Sequence, residues 1–201
     1  ALSMLAGIAS AQVIWNDDFN TNNAPNLVYQ NVNDAFIGPT RLHKPADETW
    51  LSVSAATASY EPWGLDGVMA IKDFNNNLRT TALMLDGTTQ LGTAGTETLT
   101  LNLKIAEANI LYANVDVVIY ELGGDGTGIT LGMKGDANMV PLGGETVNNL
   151  GSVSLSGADI NSTVTLDFNY TAGRDLIVAF ASKSGTADKT SWLRLDEVSV
   201  T

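Results

Sequence analysis

Apolar side chains recur at every second position in several segments of this chain. In the clearest segment, residues 98–105, apolar and polar side chains alternate without exception. A period of two is that of a β-strand with one face towards a core and the other towards solvent. About ten to twelve such segments occur, with turn residues roughly every 8–12 positions, and none has the period of an amphipathic helix. The pattern predicts an all-β fold, either a sandwich or a barrel.

Two of these segments, residues 65–74 and 78–85, are separated by Asn75, Asn76 and Asn77. Asparagine tolerates the backbone conformations of tight turns, and such turns commonly join neighbouring antiparallel strands. We therefore expect these two strands to pair with each other.

The last segment of the chain changes its alternation partway along. A regular strand would place Leu195 on one face and both Val198 and Val200 on the other. A β-bulge at Asp196-Glu197 would return all three to the core side and re-aim Asp196, because a bulge adds one residue to one strand of a pair. The sequence therefore predicts a bulge at this point, or else a closing strand that changes sheets.

Charge and composition restrict the expected partners. The chain of 201 residues carries 10 basic and 22 acidic residues, a formal net charge of −12. Nucleic acid and anionic membrane surfaces would be repelled, so neither is an expected partner. Cysteine is absent, which excludes disulfide bonds and thiol chemistry. The length and an apolar fraction of 44% suit one large domain.

The first eleven residues differ in character from the rest. They read ALSMLAGIASA and end in Ala9-Ser10-Ala11, the A-x-A form of a signal-peptidase site. The run is too short to cross a bilayer as a helix. We expect a signal-peptide remnant at 1–11, from a precursor truncated before it, and a single secreted domain at 12–201 without membrane insertion. Alternatively, residues 1–11 are retained and pack into a neighbouring subunit, which would produce self-association.

Both ends of the chain carry a family resemblance. Residues 16–20, NDDFN, resemble the N-G-x-F-E opening of jelly-roll carbohydrate-binding modules. Residues 193–200, LRLDEVSV, resemble the closing strand of that family, hydrophobic-x-I-D-N-V-S-hydrophobic, and 96–105 and 162–170 resemble two further strands. The same layout occurs in secreted proteins of environmental bacteria. The resemblance implies an antiparallel jelly-roll β-sandwich with its first and last strands adjacent, and a polysaccharide or other glycan as partner.

The resemblance also implies a structural calcium ion, which acidic residues near the chain ends commonly hold in this family. Asp196 matches the closing aspartate of the family, and Asp17 or Asp18 takes the opening position, although Asn20 replaces the family's glutamate. Calcium prefers about six to eight oxygen ligands, and these four side chains could supply several of them. The alternative is that they are ordinary acidic turn residues.

Sugar binding by such a domain would need exposed aromatic rings with polar groups beside them. Tyr60 and Trp63 are the best candidates, because Pro62 and Gly64 mark a surface loop. Large aromatic side chains are usually buried, so a core position is the alternative for each. Further candidates for ligand binding are Tyr112, Asp116 and Tyr120. The tryptophans expected to pack in the core are Trp15, Trp50 and Trp192.

The sequence offers little for catalysis. His43 is the only histidine, and no nucleophile elbow accompanies it. There is no His or Cys cluster for zinc and no E-x-D-x-x-E strand signature of sandwich-fold glycanases. We therefore expect a secreted, non-catalytic, carbohydrate-binding-like domain. The alternatives are a structural or adhesive surface protein that self-assembles and, less favoured, a divergent polysaccharide-active enzyme.

Overall fold

The computed structural model describes the strands and some of the turns that join them. The described residues are 12–18, 27–32, 40–42, 49–55, 64–65, 68–72, 80–88, 91, 96–109, 113–123, 129–131, 139–141, 146–184 and 192–201. The strands are β1 (Trp15–Asp17), β2 (Leu27–Val32), β3 (Thr40–Leu42), β4 (Thr49–Ala55), β5 (Gly64–Leu65), β6 (Val68–Lys72), β7 (Thr80–Leu85), β8 (Thr96–Asn109), β9 (Ala113–Leu122), β10 (Ile129–Leu131), β11 (Met139–Pro141), β12 (Val147–Leu155), β13 (Thr163–Thr171), β14 (Leu176–Ser184) and β15 (Trp192–Val200). A 3-10 turn, Gly157–Asp159, precedes β13. Five of these strands have only two or three residues.

The eight principal strands pair in a nested order. Strand β6 pairs with β15, β7 with β14, β8 with β13 and β9 with β12, all antiparallel. This is one long antiparallel ribbon folded back on itself. Rolling the ribbon places β15 beside β8 and β14 beside β9, which closes two sheets. That connectivity is a jelly roll, so the predicted all-β jelly-roll sandwich is confirmed.

The two sheets of the sandwich are formed by different sets of strands. The first has the order β13-β8-β15-β6-β5, with β1 added beside β15, and the second has the order β12-β9-β14-β7-β4-β2. All of these pairs are antiparallel except β2 with β4. A small third sheet, β11-β10-β3, completes the described strands.

The core lies between the inner faces of the two sheets. The alternation predicted for residues 98–105 is confirmed, because the apolar residues of that segment are buried and the polar ones face outwards. Partners from the second sheet include Val117, Ile119 and Phe180, all fully buried. Trp15 packs against this core, as predicted. The side chains of Trp50 and Trp192 lie outside the described part of the structure.

The outer faces of the two sheets differ in polarity. On the second sheet, the outer residues Val118, Tyr120, Ile177 and Ala179 are buried as well. On the first sheet, the outer residues of the segments 98–104, 163–171 and 197–201 are polar. We call this set the polar face: Thr98, Thr100, Asn102, Lys104, Thr163, Thr165, Asp167, Asn169, Thr171, Glu197, Ser199 and Thr201. The first sheet therefore has an outer face of polar residues, while on the second sheet the edge strand β12 also exposes Ser152 and Ser154.

The bulge predicted in the last strand is confirmed. Leu195 lies opposite Ile105 and Glu197 lies opposite Lys104, so Asp196 is the extra residue of β15. As a result Leu195, Val198 and Val200 all face the core and are buried. The partner of β15 on its other side changes at the same place, from β6 at residues 192–195 to β1 at residues 198–200. The first and last strands are thus neighbours, as expected.

The predicted pairing of residues 65–74 with 78–85 is wrong. Strand β6 pairs with β5 and β15 in the first sheet, whereas β7 pairs with β4 and β14 in the second. A polar turn reverses the chain, but it does not decide which sheet the next strand joins. The local hairpin is instead β5 with β6, where Leu65 lies opposite Val68 across Asp66-Gly67. Asp-Gly is a typical two-residue hairpin connection, and it was the stronger turn signal.

A buried polar network closes one end of the sandwich. The Tyr170 hydroxyl lies 2.8 Å from the carbonyl oxygen of Arg174, to which it donates, and 3.3 Å from that of Gly87. The backbone N–H of Gly87 donates to the buried Asp175 carboxylate at 2.9 Å. The buried Glu121 carboxylate accepts a backbone N–H from the end of β13 at 2.7 Å. These bonds tie the ends of β7, β9 and β13 together and satisfy polar groups that would otherwise be costly to bury.

Candidate functional site

Hydrogen bonds between neighbouring strands order the polar face. The Thr100 hydroxyl donates to the Asp167 carboxylate at 2.7 Å, and the Thr98 hydroxyl donates to the Asn169 side-chain oxygen at 3.1 Å. Each of these pairs is directly opposite across β8 and β13. Such cross-strand bonds restrict the rotamers of the side chains. The face therefore presents a preorganised array of hydroxyl, amide and carboxylate groups.

A pocket of about 240 Å³ opens on this face. It spans three adjacent strands, because Lys104 of β8 lies opposite both Thr163 of β13 and Glu197 of β15. The lining residues are Asn102, Lys104, Thr163, Glu197, Ser199 and Thr201. All six are polar, and they provide donors and acceptors of hydrogen bonds in close proximity. The described lining residues include no aromatic ring, so they would hold a ligand by hydrogen bonds and charge.

An ion pair borders the pocket at the bulge. The ammonium group of Lys104 contacts the Asp196 carboxylate, and both side chains are partly exposed, by 54% and 36%. The hydrogen bond with Asp196 raises the pKa of Lys104, its charge adds to the effect, and Glu197 contributes further attraction. The lysine therefore stays protonated, with Asp196 as its ion-pair partner. The extra residue of the bulge supplies that counter-ion.

The predicted calcium ligands are only partly brought together. Asp17 lies opposite Val198 and shares a strand face with Trp15, which packs against the core. Asp196 instead contacts Lys104, on the polar face. Asp18 is exposed, and Asn20 lies outside the described residues. Within the described ranges, no group of three or more His, Cys, Asp or Glu side chains is arranged to hold a metal ion. Calcium binding at the chain ends stays a prediction.

The predicted glycan-binding residues fall in different places. Tyr60, Trp63 and Tyr112 lie outside the described residues. Asp116 accepts a hydrogen bond from the Ser154 hydroxyl at 2.7 Å on the outer face of the second sheet. Tyr120 shares that face of β9 but is only 5% exposed, so its ring offers no open surface for stacking in this conformation. No ligand-binding role of these five residues is tested by the geometry.

The pocket residues were not among the sequence candidates. Their alternation was visible, since Asn102 and Lys104 stand on the polar side of the clearest strand, and Glu197 belongs to the predicted bulge. Sequence alone does not give the register that places Thr163 beside Lys104, about 60 residues away along the chain. The pocket forms because the order of strands in the sheet brings residues that are distant in sequence next to each other.

The comparisons with known proteins agree with the fold and go no further. No family model matches the sequence, and no curated protein matches it. Among solved structures, a cleaved adhesin domain of Lys-gingipain from Porphyromonas gingivalis has 13% identity over 76% of this chain and 91% of its own, with a TM-score of 0.42. A CBM35 domain from Cellvibrio japonicus has 16% identity over 76% and 93%, with a TM-score of 0.36. A CBM61 domain solved with β-1,4-galactotriose has 9% identity over 76% and 81%, with a TM-score of 0.36.

These similarities are too distant to carry an argument about function. The chain resembles jelly-roll carbohydrate-binding modules in fold, and the nested strand pairing is what establishes that fold. In the described part of the chain, no helix has the length and apolar character needed to span a membrane.

Proposed function

We propose that this chain is a non-catalytic, carbohydrate-binding-like domain that binds one sugar unit in the pocket of the polar face. The observation that carries the proposal is the pocket itself. Six polar side chains from three paired strands surround a volume of about 240 Å³. Drug-sized ligands occupy pockets of roughly 300–1,000 Å³, so a smaller one lined by polar residues suits a single hydroxyl-rich ring.

The chemistry of the lining supports a polyhydroxylated ligand. A sugar hydroxyl both donates and accepts, and the pocket offers three hydroxyl groups, an amide, an ammonium and a carboxylate. The side chains stand on paired strands, which hold them better than a loop would. Glycoside hydrolysis would need two carboxyl groups about 5–10 Å apart across the sugar. Only Glu197 among the lining residues carries one, which favours binding over catalysis.

A matched pair of variants tests the site. Thr163 lines the pocket, whereas Thr165 is exposed on the same face of the same strand outside it. Thr163→Val should weaken binding to any glycan found by array screening by roughly five- to tenfold, the effect of one or two lost hydrogen bonds. Thr165→Val should leave the affinity unchanged. Equal affinities of both variants and the parent, by titration calorimetry, would remove the pocket from consideration.

Tyr60 and Trp63 are proposed as a separate stacking platform. If they contact the glycan, replacing both with Ala should abolish binding while the melting temperature changes little. A large fall in melting temperature would instead mark them as core residues, and binding that survives the double replacement would exclude them from the glycan site.

We also propose a structural calcium ion at the chain ends, with Asp196 as a ligand. Adjacent first and last strands support it, because Asp17 lies opposite Val198, two residues along the chain from Asp196. A ligand that binds only the folded state stabilises it by about 2.7 kcal/mol at a hundredfold excess over Kd. Calcium added to chelator-treated protein should raise the melting temperature, and Asp196→Ala should abolish that response. Identical melting curves with calcium and with chelator would leave Asp196 only its ion pair with Lys104.

Secretion is the last part of the proposal. The support is the A-x-A sequence at Ala9-Ser10-Ala11. The exported protein should begin at Gln12 when its N-terminus is sequenced. An exported protein that keeps residues 1–11 would favour a self-assembling surface protein instead.

A further inference from the structure

The charges around the pocket are unequal. Among the described polar-face residues, Lys104 is the one cation, and it forms an ion pair with Asp196. Glu197 lines the pocket without a second cation among the polar-face residues, and Asp167 adds another negative charge on the same face. The chain as a whole carries −12. A charged ligand therefore enters a field that is locally and globally negative.

Glu197 is the residue through which this negative charge would contact a ligand. Glu197 lies directly opposite Lys104 of the neighbouring strand, on the outward side of β15 and next to the bulge at Asp196. Its side chain is partly buried, which weakens solvent screening compared with a fully exposed carboxylate. The hydroxyl and amide groups beside it would bind the neutral part of the same sugar.

We infer that the pocket prefers a sugar that carries a protonated amino group, with the Glu197 carboxylate as its partner, and that it rejects uronic acids and sulfated sugars. This inference rests on the proposed glycan-binding function and adds the class of sugar. An ammonium group can donate to Glu197 while the ring hydroxyls bond to Asn102 and Thr163. A ligand carboxylate or sulfate would meet Glu197 instead, since the Lys104 charge is already paired.

The experiment compares three oligosaccharides of equal length with the full chain: glucosamine, N-acetylglucosamine and galacturonate oligomers. An exposed charge pair contributes little, so the glucosamine oligomer should bind roughly two- to fivefold more tightly than the acetylated one. The galacturonate oligomer should bind most weakly. The preference should be largest at about 0.01 M salt, where the Debye length is about 30 Å, and should shrink at about 1 M.

Two variants separate a local contact from general charge. Glu197→Gln removes the pocket carboxylate, and Asp167→Asn removes a carboxylate of the polar face that lies outside the pocket. Both change the net charge by one. Glu197→Gln should reduce the affinity ratio between the glucosamine and N-acetylglucosamine oligomers to about one, whereas Asp167→Asn should retain it.

The outcomes distinguish this inference from the function on which it rests. Equal loss of the preference in both variants, or its persistence in Glu197→Gln, would overturn the assignment of Glu197 while leaving glycan binding intact. Binding of neutral oligomers without any preference for the amino sugar would do the same. Failure of all glycans, in the array and in these titrations, would overturn the proposed function as well.

Discussion

Replacing Tyr170 with Phe should destabilise the fold by removing the hydroxyl at the centre of the buried network. Tyr170 is 2% exposed, and its hydroxyl donates to the Arg174 carbonyl at 2.8 Å, with the Gly87 carbonyl at 3.3 Å. Phe keeps the ring in the core but leaves these acceptors without that donor. The loss of one buried hydrogen bond with its partner left behind costs about 1–3 kcal/mol. For a chain of this size the melting temperature should fall by about 2–12 °C.

The same variant should change how stability depends on alkaline pH. Burial raises the pKa of Tyr170 above its ordinary value of 10.0, and the carboxylates of Asp175 and Glu121 raise it further. Above pH 10.0 the unfolded chain therefore loses this proton first, while the folded chain retains it. The contribution of Tyr170 to the free energy of unfolding then falls as pH rises, by up to about 1.4 kcal/mol per pH unit, until the pH reaches the pKa of Tyr170 in the folded state. Below pH 10.0 this group contributes no slope.

Denaturant unfolding of both proteins between pH 8 and pH 11 measures the effect. The other four tyrosines are common to both proteins and cancel in the difference. The wild type should be the more stable at pH 8, and its advantage over Tyr170→Phe should shrink above pH 10. Stability curves that stay parallel over the whole range would refute the buried, proton-retaining hydroxyl. Equal stability at pH 8 would refute the hydrogen bonds.

Three further predictions follow from the packing. Phe180→Ala should cost about 3–5 kcal/mol in the free energy of unfolding, because the ring is fully buried between the sheets. Gly87→Ala should cost about 1–3 kcal/mol or more, because its Cβ would lie 2.0 Å from the Arg174 carbonyl oxygen. Deleting Asp196 should leave the fold intact, since a regular strand then keeps the same residues inside, whereas deleting Ser199 should turn the buried Val200 outwards and lower the free energy of unfolding. Circular dichroism and denaturant unfolding would decide all three.

The sequence predicts the local features of this fold well and its long-range pairing poorly. The alternation at residues 98–105 follows from one strand having one buried face, so it needs no knowledge of the partner. The bulge at Asp196 is equally local, because parity along one strand requires it. The wrong hairpin between residues 65–74 and 78–85 has a different origin. In a jelly roll, consecutive strands cross between sheets, and each pairs with a strand far along the chain.

The candidate site could not be predicted from the sequence for the same reason. Each wall of the pocket is an ordinary polar position of an alternating strand, and only the order β13-β8-β15 assembles them. Aromatic residues are the conspicuous candidates in the sequence, but they fall outside the described residues or, in the case of Tyr120, are buried. Short polar side chains carry no comparable signal, because most exposed strand positions have them.

The bulge explains why an ion pair stands at the edge of the pocket. A closing strand one residue shorter would bury the same three apolar residues, so the bulge is not needed for the core. What it adds is one more side chain, Asp196, beside Lys104. Without Asp196, the Lys104 ammonium would turn to Glu197, which already attracts it. The deletion that spares the fold should therefore neutralise Glu197 by this new pair and abolish the preference for an amino sugar. Affinity for the N-acetylated oligomer should change little, because its hydrogen bonds come from Asn102 and the hydroxyl groups of the lining.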